Sequence, residues 1–133
     1  MAVPAITPFY AGILGLIMLY LVGRVPMMRR RYKIGIGFGG NEELARAIRV
    51  HANFIENVPY ALLLMLLLEM RGSSAWLLHA LGITLIAARL LHAYGVSKSS
   101  GVSFGRMVGF ILTWAVLLVG SLLCISNFPH LNL

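Results

Sequence analysis

Four long apolar stretches, joined by three polar links, organise the chain. The first runs from Met1 to Gly23 without a charged residue. A helix needs about 20 residues to cross a hydrocarbon core of ~30 Å, and this stretch is long enough. Pro4 and Pro8 suit its entry or first turn. No Lys or Arg precedes the run and no small-x-small site follows it, so a span rather than a cleaved signal is expected. The second stretch begins in a polar segment near Asn41 and continues to about Met70. Glu42 and Glu43 open it, as suits the positive end of a helix dipole. From Val58 to Leu68 it is almost entirely Leu, Ala and Met. The third extends from Ser73 or Ser74 to about Tyr94, after the turn Gly72-Ser73-Ser74, where serine is a good N-cap. The fourth runs from Ser103 to Ile125, closed by Ser126-Asn127-Phe128-Pro129.

None of these stretches alternates with the period of two that a strand requires, and an open sheet cannot satisfy its backbone in lipid. The pattern predicts one domain over 1–133, an all-α membrane protein. Its four-transmembrane-helix bundle has helices at about 5–28, 41–70, 74–95 and 103–126. The longest link, Arg29 to Gly40, contains Gly35, Gly37, Gly39 and Gly40. No strand precedes these glycines and their spacing is not that of a dinucleotide fingerprint, so the segment reads as a flexible connector.

Composition agrees with this pattern. Hydrophobic residues make up 59% of the chain and charged residues 11%, against about a quarter charged in a soluble domain. The net charge of +7 would suggest nucleic acid in a soluble protein. Here the basic residues sit between apolar runs, so they report topology and no nucleic-acid partner is expected. The first connection carries Arg24, Arg29, Arg30, Arg31 and Lys33; the third carries Lys98, with Arg106 just beyond; the second has only Arg71, beside Glu69. Positive charge marks the cytoplasmic side, so both termini are expected outside. The expected location is a bacterial inner membrane, with an endoplasmic reticulum-type membrane as the alternative. The Arg29 to Lys33 cluster serves as this anchor, or attracts anionic lipid or an anionic substrate. Cys124 is the one cysteine, lies in an apolar run, and reads as a packing residue.

Polar residues inside the helices carry the chemistry. Arg46, Arg49, Asn53 and Glu56 follow at steps of three, four and three, and so share a helix arc of about 80°. Ionisable groups at membrane depth cost several kcal/mol or more and normally face protein or a water-filled cavity. A structural ion pair, such as Arg49 with Glu56, is the plain reading; a ligand site is the other. Arg89 and His92 are neighbours on the third helix, Tyr94 follows, and Arg106 opens the fourth. All lie toward the side of the first and third connections. His79 stands apart near the opposite face, as a packing or interface histidine, and His130 in the tail has no assigned role. His51, His79 and His92 lie at three depths, which gives no metal cluster. Arginines bind carboxylates through paired hydrogen bonds, and a glutamate accepts from an ammonium. A ligand with carboxylates and an amine fits, and glutathione has that set. An Arg beside its thiol would favour the nucleophilic thiolate.

The segment Arg49-Val50-His51-Ala52-Asn53-Phe54-Ile55-Glu56-Asn57-Val58-Pro59 resembles the signature of the membrane-associated proteins in eicosanoid and glutathione metabolism, the MAPEG family. The resemblance extends to the basic end of helix one, to Ala88-Arg89-Leu90 with His92, and to Arg106, and so covers essentially the whole chain. It implies a four-helix homotrimer with glutathione, as co-substrate, between adjacent subunits. It further implies that Arg49, Asn53 and Glu56 hold the glutamyl end and that Arg29 holds the other carboxylate. Arg106 would stabilise the thiolate. His51 points off the Arg49 face and would serve a neighbouring subunit's site; Arg89, His92 and Tyr94 complete the implied glutathione-binding set. Val96 stands where the eicosanoid synthases tend to have Tyr, and Met107 where some members have Ser, which argues against eicosanoid synthesis. The function implied is a glutathione-dependent transferase or peroxidase acting on lipophilic electrophiles, with membrane lipid and its own copies as partners. A small transporter or channel subunit, or a non-catalytic glutathione-binding member of the family, are the alternatives.

The topology is directly testable. Single cysteines at Ser97 and Ser126, in a Cys124→Ser background, should be labelled by an impermeant thiol reagent from opposite sides of the membrane. Labelling of both from one side would refute the four-span plan.

Overall fold

The computed structural model describes residues 3–126, which form four helices: α1 (Ile6–Tyr32), α2 (Glu42–Met70), α3 (Ala75–Lys98) and α4 (Phe104–Ser126). His130 lies outside the described residues. All four helices are long and apolar enough to cross a membrane. Within the described residues α2 and α3 each pack against every other helix, whereas α1 and α4 do not meet.

The helix ends follow from local chemistry. The Asn41 side chain accepts from the Leu44 amide at 2.9 Å and caps α2, with Glu42 and Glu43 in the first turn. Ser74 caps α3 through the Leu77 amide. The start of α1 has no local cap. Instead the Glu69 carboxylate, at the far end of α2, accepts from the amides of Ala5, Ile6 and Thr7, each at 2.7 Å. Two residues later Arg71 donates to the carbonyl of Cys124, one of the last of α4, at 2.9 Å. An anion at one helix's N-terminus and a cation at another's C-terminus both complement the dipoles. These bonds also join the start of α1, the second connection and the end of α4 at one face, the opposite of the face carrying the first and third connections.

Two helix ends differ from expectation. α1 continues to Tyr32 rather than stopping near 28, and α3 to Lys98 rather than 95. Apolar character stops earlier than helical hydrogen bonding does. Arg29, Arg30 and Arg31 occupy the last turn of α1, where cations favour the exposed carbonyls. The helix then closes on Lys33 in the left-handed conformation (φ 55°), with the Ile34 amide bonded back to the Arg29 carbonyl.

The core lies along one stripe of α2. Leu44, Ala47, Val50, Phe54, Val58, Ala61, Met65 and Leu68 recur at three- and four-residue steps and are buried. Val50 through Leu68 of this stripe pack with Tyr10, Leu14 and Leu21 of α1, Leu78, Leu81 and Leu85 of α3, and Val116 of α4, while Leu44 and Ala47 form a separate cluster with Met28 of α1. His79 is a packing histidine: its Nδ1 lies 2.9 Å from the Tyr10 hydroxyl. Cys124 is half-buried beside Leu64.

Glycines bring α3 and α4 together. A Cβ on Gly109 would lie 2.5 Å from the Ala88 carbonyl oxygen and 2.6 Å from the His92 amide nitrogen, so the helix backbones touch there. Gly95 and Gly105 make the same close approach, against each other, about one turn nearer the basic face. In lipid, where apolar burial gives no driving force between helices, close backbone packing through small residues is what holds two helices together.

Gly109→Ala should therefore destabilise the protein by about 1–3 kcal/mol, because the obstruction is backbone and cannot rotate away. Gly12→Ala, where nothing lies within 4 Å, should be neutral or slightly stabilising. Reversible unfolding of both variants in mixed detergent micelles measures the difference.

Candidate functional site

The glycine contact between α3 and α4 brings the start of α4 beside the end of α3, and α2 closes the third side. Between them, toward the basic face, opens a cleft of about 340 Å³. Its polar lining is Arg49 and Asn53 from α2, His92 from α3 and Arg106 from α4. Val96, Val102, Met107 and Phe110 form its apolar wall.

Each polar group has a distinct setting. Arg106 is anchored by its own helix start. Its amide is capped by the Ser103 hydroxyl at 3.3 Å, and its guanidinium reaches the carbonyls of Ser100 and Gly101 at 3.3 and 3.4 Å. Arg49 pairs with Glu56 at 3.7 Å, with the side chains 60% and 51% exposed. The plain ion-pair reading of these two is thus present in the structure, yet the pair leaves the Arg49 guanidinium open to the cleft. An exposed pair of this kind contributes about 0–1 kcal/mol in water. Arg46, on the same stripe, turns to the third connection and donates to the Ser100 hydroxyl at 3.1 Å, which in turn donates to Glu42 at 3.3 Å.

Arg89 does not line the cleft. It lies beneath it, 1% exposed, and donates to the Asn53 Oδ1 at 2.8 Å and the Thr113 hydroxyl at 3.2 Å, with His92 Nδ1 also at 3.2 Å. Its guanidinium carbon sits 5.7 Å from the centre of the Phe54 ring. The Thr113 hydroxyl in turn donates a hydrogen bond to the Gly109 carbonyl at 2.8 Å. A polar chain therefore runs from α2 through α3 to α4 under the cleft floor.

Four residues marked out in the sequence, Arg49, Asn53, His92 and Arg106, thus meet in one cleft. Glu56 reaches it through Arg49, and Arg89 supports it from below. Arg29, His51 and Tyr94 are not brought to it in a single chain. Arg29 donates to the carbonyls of Ile34, Gly35 and Gly37 in its own connector. His51 is half-buried elsewhere on α2, and the exposed Tyr94 ring lies 5.5 Å from the Lys98 ammonium. The sequence reading passed over Thr113, Val102 and Phe110. Thr113 follows Arg106 by seven residues on the same face, and Gly105 and Gly109 precede it at four-residue steps; that small-residue spacing was the available signal.

Comparison with known proteins places the chain in a family. The MAPEG family model matches residues 7–126. Inner membrane protein YecN of Escherichia coli strain K12 is 37% identical over 114 residues, 86% of this chain and 86% of that protein. Its counterpart from Escherichia coli O6:H1 aligns with the same identity and coverage. With these relatives, the four apolar helices make the chain a multi-pass protein of the bacterial inner membrane.

Proposed function

The chain belongs to the MAPEG family, and from that premise we propose that it is a glutathione-dependent transferase or peroxidase for lipophilic electrophiles. The observation that carries this reading is the composition of the cleft. Two guanidiniums, an amide and an imidazole open at one side of it, and four apolar residues at the other. An anionic thiol compound suits the first side, and an electrophile arriving from lipid suits the second.

The polar residues divide the work. Arg49 and Asn53 meet charges that glutathione carries at rest, with Glu56 accepting from its ammonium. These contacts contribute to binding. Arg106 meets a charge that appears only when the thiol ionises, so it contributes to reactivity. The thiol proton leaves to water, and the thiolate forms a sulfur–carbon bond as the leaving group departs with its electron pair. With a hydroperoxide the thiolate instead attacks the terminal oxygen, the O–O bond breaks and the alkoxide leaves and is protonated to the alcohol; a second glutathione thiol then attacks the resulting sulfenic acid, forming the disulfide and releasing water. Lowering a thiol pKa by about two takes roughly 3 kcal/mol, within reach of a partly buried guanidinium.

Assembly belongs to the same reading. Arg49 and Glu56 are more than half exposed on a helix that crosses the membrane, and charges do not face lipid at low cost. A second copy covering this flank would bury the pair and complete the site, with Arg29, His51 and Tyr94 as candidates for what a neighbour supplies. The proposed assembly is a homotrimer with sites between subunits. Mass measurement of the detergent-solubilised protein should give three chains per particle, and a stable monomer overturns this.

Arg106→Leu should abolish turnover and the absorbance of bound thiolate while glutathione still binds. Arg49→Leu and Glu56→Gln should weaken binding itself, by about tenfold or more for loss of a charge-assisted bond. Arg106→Lys should be intermediate, since charge survives and fork geometry does not. Full activity in Arg106→Leu removes it from the chemistry. Binding without turnover by the unaltered protein would make it a non-catalytic member, and glutathione-independent solute uptake into proteoliposomes would favour the transporter reading.

A further inference from the structure

Arg89 is a guanidinium inside the bundle with no carboxylate beside it. Among the described residues the only ion pair is Arg49 with Glu56. Three arginines, Arg49, Arg89 and Arg106, therefore stand in or under the cleft with one carboxylate between them. A buried charge at membrane depth requires compensation, and Arg89 receives it from dipoles: the Asn53 amide oxygen, the Thr113 hydroxyl and the face of Phe54.

That arrangement dictates what its neighbours present to the cleft. Arginine only donates hydrogen bonds. The Asn53 atom facing it must be the carbonyl oxygen, so the amide nitrogen is the group Asn53 has left to offer. The His92 nitrogen facing it, Nδ1, must be an acceptor, so the ring carries its proton on Nε2. Neither the Asn53 amide nitrogen nor His92 Nε2 has a hydrogen-bond partner among the described residues, and neither is sealed from the cleft that both residues line.

We infer that Arg89 is a positioning residue: it fixes Asn53 and His92 as hydrogen-bond donors, so that the inner wall of the cleft selects an acceptor and, with the arginines beside it, favours an anionic one, a carboxylate or a thiolate. With Arg49 and Arg106 beside them, every polar group lining the cleft is then a donor. Arg89 never touches the ligand. It sets the direction of two bonds to it, and its positive charge, which no carboxylate neutralises, adds to the attraction. The assignment of that group to glutathione rests on the reading above; the donor pattern itself rests on hydrogen bonds within the chain.

The test separates the two. Protein labelled with nitrogen-15 at histidine, in detergent and without ligand, reports the His92 tautomer by NMR, with His92→Gln identifying its resonances. The expected result is an Nε2–H tautomer in the unaltered protein. In Arg89→Gln, whose side chain can also accept, both tautomers should appear and glutathione affinity should fall about tenfold or more. Arg89→Lys, still only a donor, should keep the tautomer and recover part of the affinity. Asn53→Asp preserves an acceptor for Arg89 but faces the ligand with oxygen, and should lose affinity by a similar factor; it decides the question should Arg89→Gln fail to fold. An Nδ1–H tautomer in the unaltered protein, an unchanged tautomer in Arg89→Gln, or full affinity in Asn53→Asp overturns the inference. An Nε2–H tautomer in a protein that binds no glutathione supports the role of Arg89 and refutes the glutathione reading.

Discussion

A guanidinium enclosed in an apolar bundle must find acceptors wherever the fold can supply them, and the arrangement around Arg89 governs the rest of the basic half of this protein. It takes the Asn53 carbonyl from α2 and the Thr113 hydroxyl from α4 while lying on α3 itself. Three helices are thus tied at one level. The tie forms only because Gly109 lets α4 approach α3 until backbones touch, which also carries Thr113 to within reach. Packing and polarity are here one constraint. A larger residue at Gly109 would separate the helices, and separation would strand the charge.

Above that level the cleft inherits its character. The helix start at Ser103 and Phe104 brings Arg106 into the cleft with Arg49, and the α3–α4 contact places Val96, Met107 and Phe110 along its apolar wall. The cleft therefore sets a charged lining against an apolar one. Below that level the bundle is ordinary core, with Phe54 and Leu85 filling the centre and Tyr10 seated against Gly82.

Much of this was legible along the chain because lipid imposes simple demands. Four apolar runs could only be helices, and a stripe of Arg, Asn and Glu in one of them had to face something other than hydrocarbon. Arg49 and Asn53 were identifiable on that ground, and Arg106 and His92 from their shared depth. What hydropathy does not carry is direction. It marks Arg89 and Arg106 alike as polar intrusions, yet one is sealed beneath the cleft and the other opens into it. The difference lies in Thr113 and Gly109, one helix away. Helix ends were also blurred, since basic last turns are polar in composition and helical in geometry. Arg29 and Tyr94 have no place in this cleft because other partners hold them, the connector carbonyls for Arg29 and the Lys98 ammonium for Tyr94, and His51 lies on a different face of α2; a polar residue's type does not reveal which neighbour takes it.

The cap on α1 carries a consequence for how the protein is made. The first amides of that helix are satisfied by Glu69, which lies 62 to 64 residues further along the chain. During synthesis the first span must enter the bilayer with its leading amides unsatisfied, or held by headgroups and water. They find their acceptor only when the second span has crossed in the opposite sense and delivered its final turn to the same face. Closure of α1 therefore records that a complete hairpin has been inserted, and a first helix whose partner stalls midway remains frayed at its outer end. A carboxylate at the end of one span thus completes the helix that precedes it.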